Sequence, residues 1–207
     1  MFSTYYENNE AAQIPIPQNY NAVVGNPDAK SQADILAGSG AKWFCEGDRQ
    51  NEYQNSAAFP PKACHGNLQT LLYFHDCVNP TTLNSTYSGR AFGTTNQCPR
   101  DMKRMPRLRF SIRYNLSRAL PGGWTGKAPL KLSCGSSYCA HGDFIMGWYP
   151  EAAKNMLRAT GKSSLKIVSG EKGNGYQKPI CKAKHRDPGH GTSDYATALK
   201  EGGHAGM

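Results

Sequence analysis

Hydrophobic and polar residues alternate most clearly in Arg107–Tyr114 (RLRFSIRY). A period of two places the four apolar side chains on one face of a strand and the guanidinium groups on the other. The guanidinium groups belong to Arg107, Arg109 and Arg113. Residues 67–75 (NLQTLLYFH) form a nearly continuous apolar run, which is typical of a strand buried on both faces. These two segments predict the centre of a β-sheet.

Shorter apolar segments predict further strands. They are residues 21–25 (NAVVG), 41–46 (AKWFCE), 128–133 (APLKLS) and 165–168 (LKIV). A helix is predicted to begin at Pro150, because proline suits the first helical turn, and to stop at Gly161. A last short helix is predicted near residues 193–202. The 22 glycines and 13 prolines suit many turns between short elements.

Seven cysteines are spread along the 207 residues, and none belongs to a CxxC pair. They are Cys45, Cys64, Cys77, Cys98, Cys134, Cys139 and Cys181. Such spacing favours disulfides, which persist in oxidising compartments; the alternative is a cytosolic protein with buried free thiols. Cys77 and Cys98 are placed to tie the two ends of a surface excursion over residues 78–106. Cys134 and Cys139 are close enough for a tight local bridge, and the odd count leaves one thiol over.

The sequence predicts a mainly β fold, a disulfide-stapled β-sandwich or rolled sheet with one or two short helices. We divide the chain into an extended N-terminal arm (1–20), a β-rich stapled domain (21–170) and a Gly-, Lys- and His-rich tail (171–207). No apolar run suits a membrane span and no secretion leader is recognisable, so secretion implies a removed leader or a longer precursor. Asn84 and Asn115 begin two N-glycosylation sequons, which fit an extracellular setting.

Three ordered segments resemble a family of secreted fungal and oomycete proteins that is classed as a domain of unknown function. They are CHGNLQTLLYFHDC (64–77), CPRDMKRMPRLRFSIRY (98–114) and HGDFIMGW (141–148). The third is similar to the most distinctive motif of that family, His-Gly-Asp-Phe-x-x-Gly-Trp followed by a helix. Members of that family usually carry an upstream His-x-His pair as well, which this sequence lacks. The resemblance implies an extracellular domain whose activity is open.

The HGDFIMGW segment supplies the first candidate site. On a strand, His141 and Asp143 share one face, where the carboxylate can orient the imidazole or both can bind a cation. Phe144 and Trp148 can form an aromatic platform of the kind that stacks on sugar rings. A glycan-directed site would use His141 as base or ligand and Asp143 as its orienter. The structural alternative is that the aspartate caps a turn, the histidine bonds buried carbonyls and the tryptophan fills the core.

The end of the predicted buried strand supplies a second candidate, because His75 and Asp76 precede Cys77 there. If the fold brings them near His141 and Asp143, two imidazoles and two carboxylates make an acid–base pair or a divalent-metal site. A solvated loop end is the alternative. Apart from this divalent metal, the sequence indicates no cofactor.

Charge supplies a third candidate, since the net charge is +9 and the pI is near 9.2. Arginine binds carboxylate and sulfate in a bidentate manner, so the arginine face of RLRFSIRY suits an acidic polysaccharide. A soluble sheet face, or an interface with acidic residues of another subunit, explains the same arginines. Nucleic acid is not indicated, because no helix-turn-helix, zinc-finger or RNP-like pattern occurs.

The leading functional prediction is a secreted, wall- or matrix-associated protein. It would bind acidic or neutral polysaccharide, or build an extracellular assembly with copies of itself or with another chain. One alternative is a glycan-cleaving hydrolase or lyase centred on His141 and Asp143. The other is a secreted metal-binding module that uses His75, His141 and Asp143. Whether the protein is an enzyme stays open at this point.

Overall fold

A computed structural model of the protein describes residues 2–7, 11–47, 56–117 and 119–158. Within these residues there are nine strands and one α-helix. The strands are β1 (Phe2–Glu7), β2 (Asn21–Gly25), β3 (Lys42–Cys45), β4 (Leu68–Tyr73), β5 (Cys77–Val78), β6 (Ser85–Thr86), β7 (Lys103–Arg104), β8 (Arg107–Tyr114) and β9 (His141–Ile145), and the helix is α1 (Pro150–Met156). Short 3-10 turns occur at Gln32–Asp34 and Arg90–Phe92. None of the described helices is both long and apolar enough to span a bilayer.

Four antiparallel strands in the order β1-β8-β4-β3 form the main sheet. β8 has the bounds of the predicted alternating segment, and β4 covers most of the predicted apolar run, so both predictions are confirmed. Every residue of β4 except Tyr73 is buried, as expected for a strand with both faces covered. On β8, Leu108 and Phe110 face the core, and the three arginines lie on the opposite face of the sheet.

β2 and β9 pair antiparallel into a separate two-stranded ribbon that packs on the main sheet. The contact centres on Gly142 of β9, where an added Cβ would lie 3.1 Å from the rings of Phe74 and Phe110. Because side chains alternate along a strand, His141 and Asp143 point away from the main sheet. The core lies between the two layers and includes Ile16, Tyr20, Val24, Ala41, Leu72, Phe74, Val78, Met105, Leu108, Met146 and Ala153.

The excursion between β5 and β8 contains β6 and β7. Both strands pair with β5, which gives a third, small sheet of order β6-β5-β7. The predicted Cys77–Cys98 disulfide is present, and it joins the start of this excursion to a residue shortly before β7. A buried ion pair holds β7, because the Arg104 guanidinium lies 2.8 Å from the carboxylate of Asp76, which is 1% exposed. The backbone N–H and the hydroxyl of Ser88 donate to the same carboxylate, so this buried charge is compensated.

Three disulfides lie within the described residues. They join Cys45 to Cys64, Cys77 to Cys98, and Cys134 to Cys139, the last being the predicted tight local bridge. Three sheets, one α-helix and three bridges confirm the predicted mainly β, disulfide-stapled fold. Cys181 lies outside the described residues.

Residues 1–20, which the sequence presents as an extended arm, contribute a strand and core side chains. β1 pairs with β8 along its whole length, from Phe2 opposite Ile112 to Glu7 opposite Arg107. Further along, Tyr20 is only 1% exposed and packs in the core. Residues 2–7 therefore complete one edge of the main sheet, and Tyr20 helps to fill the space beneath the ribbon.

The prediction of a strand at residues 128–133 is wrong, because this segment forms no strand. Leu130 and Leu132 line a small apolar cavity with Trp43 and Tyr114, so their alternation reflects packing of side chains. Pro129 has no backbone N–H to offer a ladder of hydrogen bonds. The segment then turns into the Cys134–Cys139 bridge, and it packs as an irregular stretch.

The predicted helix begins at Pro150 as expected. α1 ends at Met156, and its buried residues Ala152, Ala153 and Met156 attach it to the domain. Residues 159–161, where the predicted helix stops, lie outside the described residues. So do the strand predicted at residues 165–168, the helix predicted near residues 193–202 and the predicted tail at residues 171–207.

Candidate functional site

The outward side of the β2–β9 ribbon displays the motif residues that the sequence singles out. We call this surface the ribbon face; it consists of Asn21, Val23, His141, Asp143 and Ile145. Val23 lies opposite Asp143, and Asn21 lies opposite Ile145. Opposite residues in such a pair have Cβ atoms about 5 Å apart. Val23 is 64% exposed and Ile145 is 82% exposed, so two large aliphatic side chains stand in water beside three polar ones.

Two glycines fix the backbone under the ribbon face. Gly25 has a φ of 83°, a left-handed conformation that favours glycine, and a Cβ there would collide with the carbonyl oxygen of Ala140. Gly25 lies opposite His141, and the absence of a side chain lets the two strands approach closely at this end of the ribbon. Gly142 lets β9 pack tightly on the rings below it. The ribbon face is therefore presented in one fixed orientation.

His141 and Asp143 share the ribbon face, about 7 Å apart along β9, and both are exposed. The Nδ1 atom of His141 lies 3.2 Å from the carbonyl oxygen of Cys139. In the described part of the chain, no hydrogen bond joins His141 to Asp143. The imidazole is thus oriented by a backbone carbonyl, without the carboxylate contact that characterises an acid–base dyad. Both side chains remain available to bind a ligand by hydrogen bonds.

Phe144 and Trp148, predicted as an aromatic platform, lie on the inward side of the ribbon and on the chain that follows it. Their ring centroids are 5.4 Å apart, and Phe144 also approaches the rings of Tyr20 and Phe74, each at 6.1 Å. Both pack against the core cluster. The structure therefore separates them from the ribbon face and gives them a packing role that holds β9 on the domain.

His75 and Asp76 belong to a different, largely buried polar cluster. The hydroxyl of Tyr20 donates to Ser85 Oγ at 3.0 Å, and Ser85 Oγ lies 2.8 Å from Nδ1 of His75. Burial lowers the pKa of His75, although the charge of Asp76 acts in the opposite direction. Burial also raises the pKa of Tyr20. Both shifts favour the uncharged forms of the two side chains, and their contacts with Ser85 connect the loop before β2 to the segment after β4.

The four residues predicted to bind a metal are not brought into one group. His75 bonds Ser85, and Asp76 is buried against Arg104. His141 and Asp143 point to solvent on the ribbon face. Across the described ranges of the chain, no cluster of three or more His, Cys, Asp or Glu side chains is arranged to hold a metal ion.

The arginines of β8 lie on a partly buried face of the main sheet and have partners there. Arg113 Nε donates to Glu46 Oε1 at 2.7 Å. The Arg107 guanidinium lies 4.2 Å from the centre of the Tyr73 ring, a cation–π distance. Arg109 is also partly buried. These contacts differ from the open cationic stripe that an acidic polymer would need, and they tie β8 to neighbouring strands.

A cleft that sequence patterns did not indicate lies beside Trp124. We call it the Trp124 cleft; it has a volume of about 260 Å³, and its lining includes His65, Asn67, Asn115, Leu120 and Trp124. The indole N–H of Trp124 donates to the carbonyl of Pro60 at 2.9 Å, which fixes the ring. In the sequence this tryptophan appears only within a Gly-rich turn, PGGWTGK. The cleft forms from segments far apart in the chain, so no periodic signal reveals it.

A family model described as "Domain of unknown function (DUF1996)" matches residues 1–148. The chain belongs to the DUF1996 family. The predicted membership in a domain-of-unknown-function family is confirmed. The DUF1996 match ends at Trp148, the last residue of HGDFIMGW, so the domain contains the whole ribbon face and the Trp124 cleft. No match to the chain was found among curated proteins or among solved structures.

Proposed function

We propose that this DUF1996 chain is a secreted glycan-binding protein of a cell wall or extracellular matrix, and that the ribbon face binds the glycan. One observation carries the proposal: Val23 and Ile145 are 64% and 82% exposed beside Asn21, His141 and Asp143. Sugar rings have apolar C–H faces and a rim of hydroxyls, and this face pairs apolar contact with a few hydrogen-bonding groups. Val23 and Ile145 lie diagonally across the ribbon from one another, and exposed apolar side chains that adjoin on one face mark interaction sites more often than scattered ones do.

The cysteines support the extracellular part of the proposal. Three disulfides within one domain require an oxidising compartment to form and persist. Asn84 and Asn115, which begin the two sequons, are both exposed and accessible to glycosylation. A secreted glycoprotein is the setting that accounts for both features.

A neutral polysaccharide suits the ribbon face better than an acidic one. Asp143 places a carboxylate at the centre of the face, and that charge repels anionic sugars. Arg107 and Arg113, which would favour anionic sugars, are engaged with Tyr73 and Glu46 on another face. The net charge of +9 still attracts acidic polymers at long range. Both polymer classes therefore belong in the test.

Co-sedimentation with insoluble polysaccharides tests the proposal. Chitin and a neutral β-glucan are compared with cross-linked polygalacturonate, using the wild type, Val23→Ser and Ile145→Ser. Leu36→Ser is the matched control, because Leu36 is also exposed, at 51%, but lies outside the ribbon face. We expect binding to a neutral polymer, a loss of affinity of about fivefold or more in the two ribbon variants, and no change in the control. No binding to any polymer, or an equal loss of affinity in all three variants, would refute glycan binding at the ribbon face.

Self-assembly is the second candidate function, because Ile145 at 82% exposure also suits contact with a second copy of the chain. Light scattering over a range of concentrations separates the two functions. An oligomer that dissociates in the Ile145→Ser variant supports assembly, whereas a monomer that sediments with polysaccharide supports glycan binding. Soluble products that disappear in His141→Ala would instead indicate a glycan-cleaving hydrolase or lyase.

A further inference from the structure

Asn115, the first residue of the sequon Asn115-Leu116-Ser117, lines the Trp124 cleft. Asn115 and Ser117 are exposed and lie directly after the end of β8. An oligosaccharide joined to the Asn115 side chain would therefore begin at the mouth of the cleft. The attachment atom and the lining of the cleft belong to the same residue, and this identifies one specific occupant.

The sequon holds its asparagine in a defined orientation. The backbone N–H and the hydroxyl of Ser117 donate to Oδ1 of Asn115 at 3.1 and 2.6 Å. Both hydrogen bonds use the amide oxygen, and Nδ2 is the atom that reacts in N-glycosylation. In that reaction Nδ2 bonds to the anomeric carbon of a lipid-diphosphate-linked oligosaccharide. The carbon–oxygen bond to the diphosphate breaks, and the amide releases one proton.

The walls of the Trp124 cleft suit the first sugars of such a chain. Trp124, Leu116 and Leu120 present apolar surface to the C–H face of a sugar ring, and His65 and Asn67 lie among the polar lining residues. The volume of about 260 Å³ is just below that of sites for drug-sized ligands, about 300–1,000 Å³. A cleft of this size accommodates one or two sugar rings.

We propose that Asn115 is N-glycosylated and that the first N-acetylglucosamine residues of its glycan dock in the Trp124 cleft against the indole. The inference depends on the proposed secretion, and it does not depend on glycan binding at the ribbon face. Docking removes the indole and the neighbouring leucines from water, so the attached glycan stabilises the fold. Asn84 provides the comparison, because its sequon continues into β6 and it does not line this cleft.

Site occupancy is the first test. The full chain is directed to the secretory pathway of a eukaryotic host by an added leader, and glycopeptide mass spectrometry measures occupancy at both sequons. We expect glycan on Asn115, its absence in Ser117→Ala and its presence in Ser117→Thr. An unmodified Asn115 in secreted protein would overturn the proposal. If cells retain the chain, occupancy is measured in the endoplasmic-reticulum fraction, which separates failed secretion from an unused sequon.

Docking is the second test, made on secreted protein before and after native treatment with peptide N-glycosidase. We expect acrylamide quenching of tryptophan fluorescence to rise after the glycan is removed, and this rise to disappear in Trp124→Phe. Nuclear Overhauser contacts between sugar protons and the Trp124 ring should be lost together with the glycan. Thr86→Ala, which removes the Asn84 sequon, should leave the quenching response unchanged.

Equal quenching before and after deglycosylation would show a glycan that points into solvent, and would overturn docking. The polysaccharide assay on the ribbon face is scored separately with Ile145→Ser, which leaves the Asn115 sequon intact. Failure of binding at the ribbon face therefore cannot be mistaken for failure of docking at the Trp124 cleft.

Discussion

The rings of Phe74 and Phe110 close over the backbone of β9 at Gly142, 3.1 Å from where a Cβ would lie. A methyl group at this position forces the rings or the strand to move. Gly142→Ala should therefore lower the free energy of unfolding by about 1–3 kcal/mol, measured by urea denaturation. Gly147→Ala is the matched control, because a Cβ there meets no atom within 4 Å, and its effect should stay below about 0.5 kcal/mol. Equal effects would contradict the close packing of the ribbon.

Burial lowers the pKa of His75 from its usual value of 6.5. As the pH falls through about 6.5, the unfolded chain takes up a proton on this residue before the folded chain does. The contribution of His75 to the free energy of unfolding should therefore be fully present above pH 6.5. It should decrease as the pH drops towards the lowered pKa of the folded state.

His75→Asn keeps a hydrogen-bonding group near Ser85 but does not titrate, so it should flatten this part of the stability curve. Urea denaturation at a series of pH values measures the slope. His141→Asn, at an exposed position, should retain the slope of the wild type. A slope that survives in His75→Asn would show that another group causes it.

Strand periodicity is enough to predict that His141 and Asp143 share a face, and on β9 they do. It cannot predict what lies across the ribbon, so the exposed neighbour Val23 was not foreseen as part of the site. Phe144 and Trp148 looked like a platform because aromatic residues suit both sugars and cores, and only the packing of layers decides between these roles. Trp124 carries no periodic signal, since its cleft is built mainly from loops.

β1 covers the outer edge of β8 through register pairs from Phe2–Ile112 to Glu7–Arg107. Without β1, the backbone donors and acceptors of β8 would form an open sheet edge that can pair with other chains. Deletion of residues 1–10 should therefore cause concentration-dependent aggregation, measured by light scattering. Excess peptide of residues 1–10 should suppress the aggregation. A truncated chain that stays monomeric would contradict an edge-covering role for β1.

Elements with a strong local pattern were predictable, and elements defined by their partners were not. Alternation gave the bounds of β8, and the apolar run located β4, because side-chain burial alone defines these strands. β1 has no such pattern, and its pairing with β8 gives it its conformation. Leu130 and Leu132 alternate like a strand but pack beside Trp43 with no neighbouring strand. The hydrophobic pattern therefore indicates which side chains are buried, whereas hydrogen bonding to a neighbouring strand decides whether a segment forms a strand.

The described disulfides use six of the seven cysteines, and Cys181 is the remaining one. Alkylation of unfolded, unreduced protein should therefore add one label per chain, and alkylation after reduction should add seven, as counted by intact mass. Seven labels before reduction would contradict an oxidised, secreted protein. No label before reduction would place Cys181 in a bond to another molecule, which gel filtration under denaturing conditions would identify.

The Cys77–Cys98 bridge encloses a surface excursion whose ends are 21 residues apart in the chain. If a protease hydrolyses one peptide bond inside it, for example near the exposed Arg90, the two fragments stay covalently joined. β4 precedes the bridge and β8 follows it, so the nicked molecule keeps both central strands of the main sheet. Such a nick adds one water to the mass but releases no fragment until a reductant is added. In surroundings rich in secreted hydrolases, the bridge therefore keeps the domain in one piece after a single cut in this excursion.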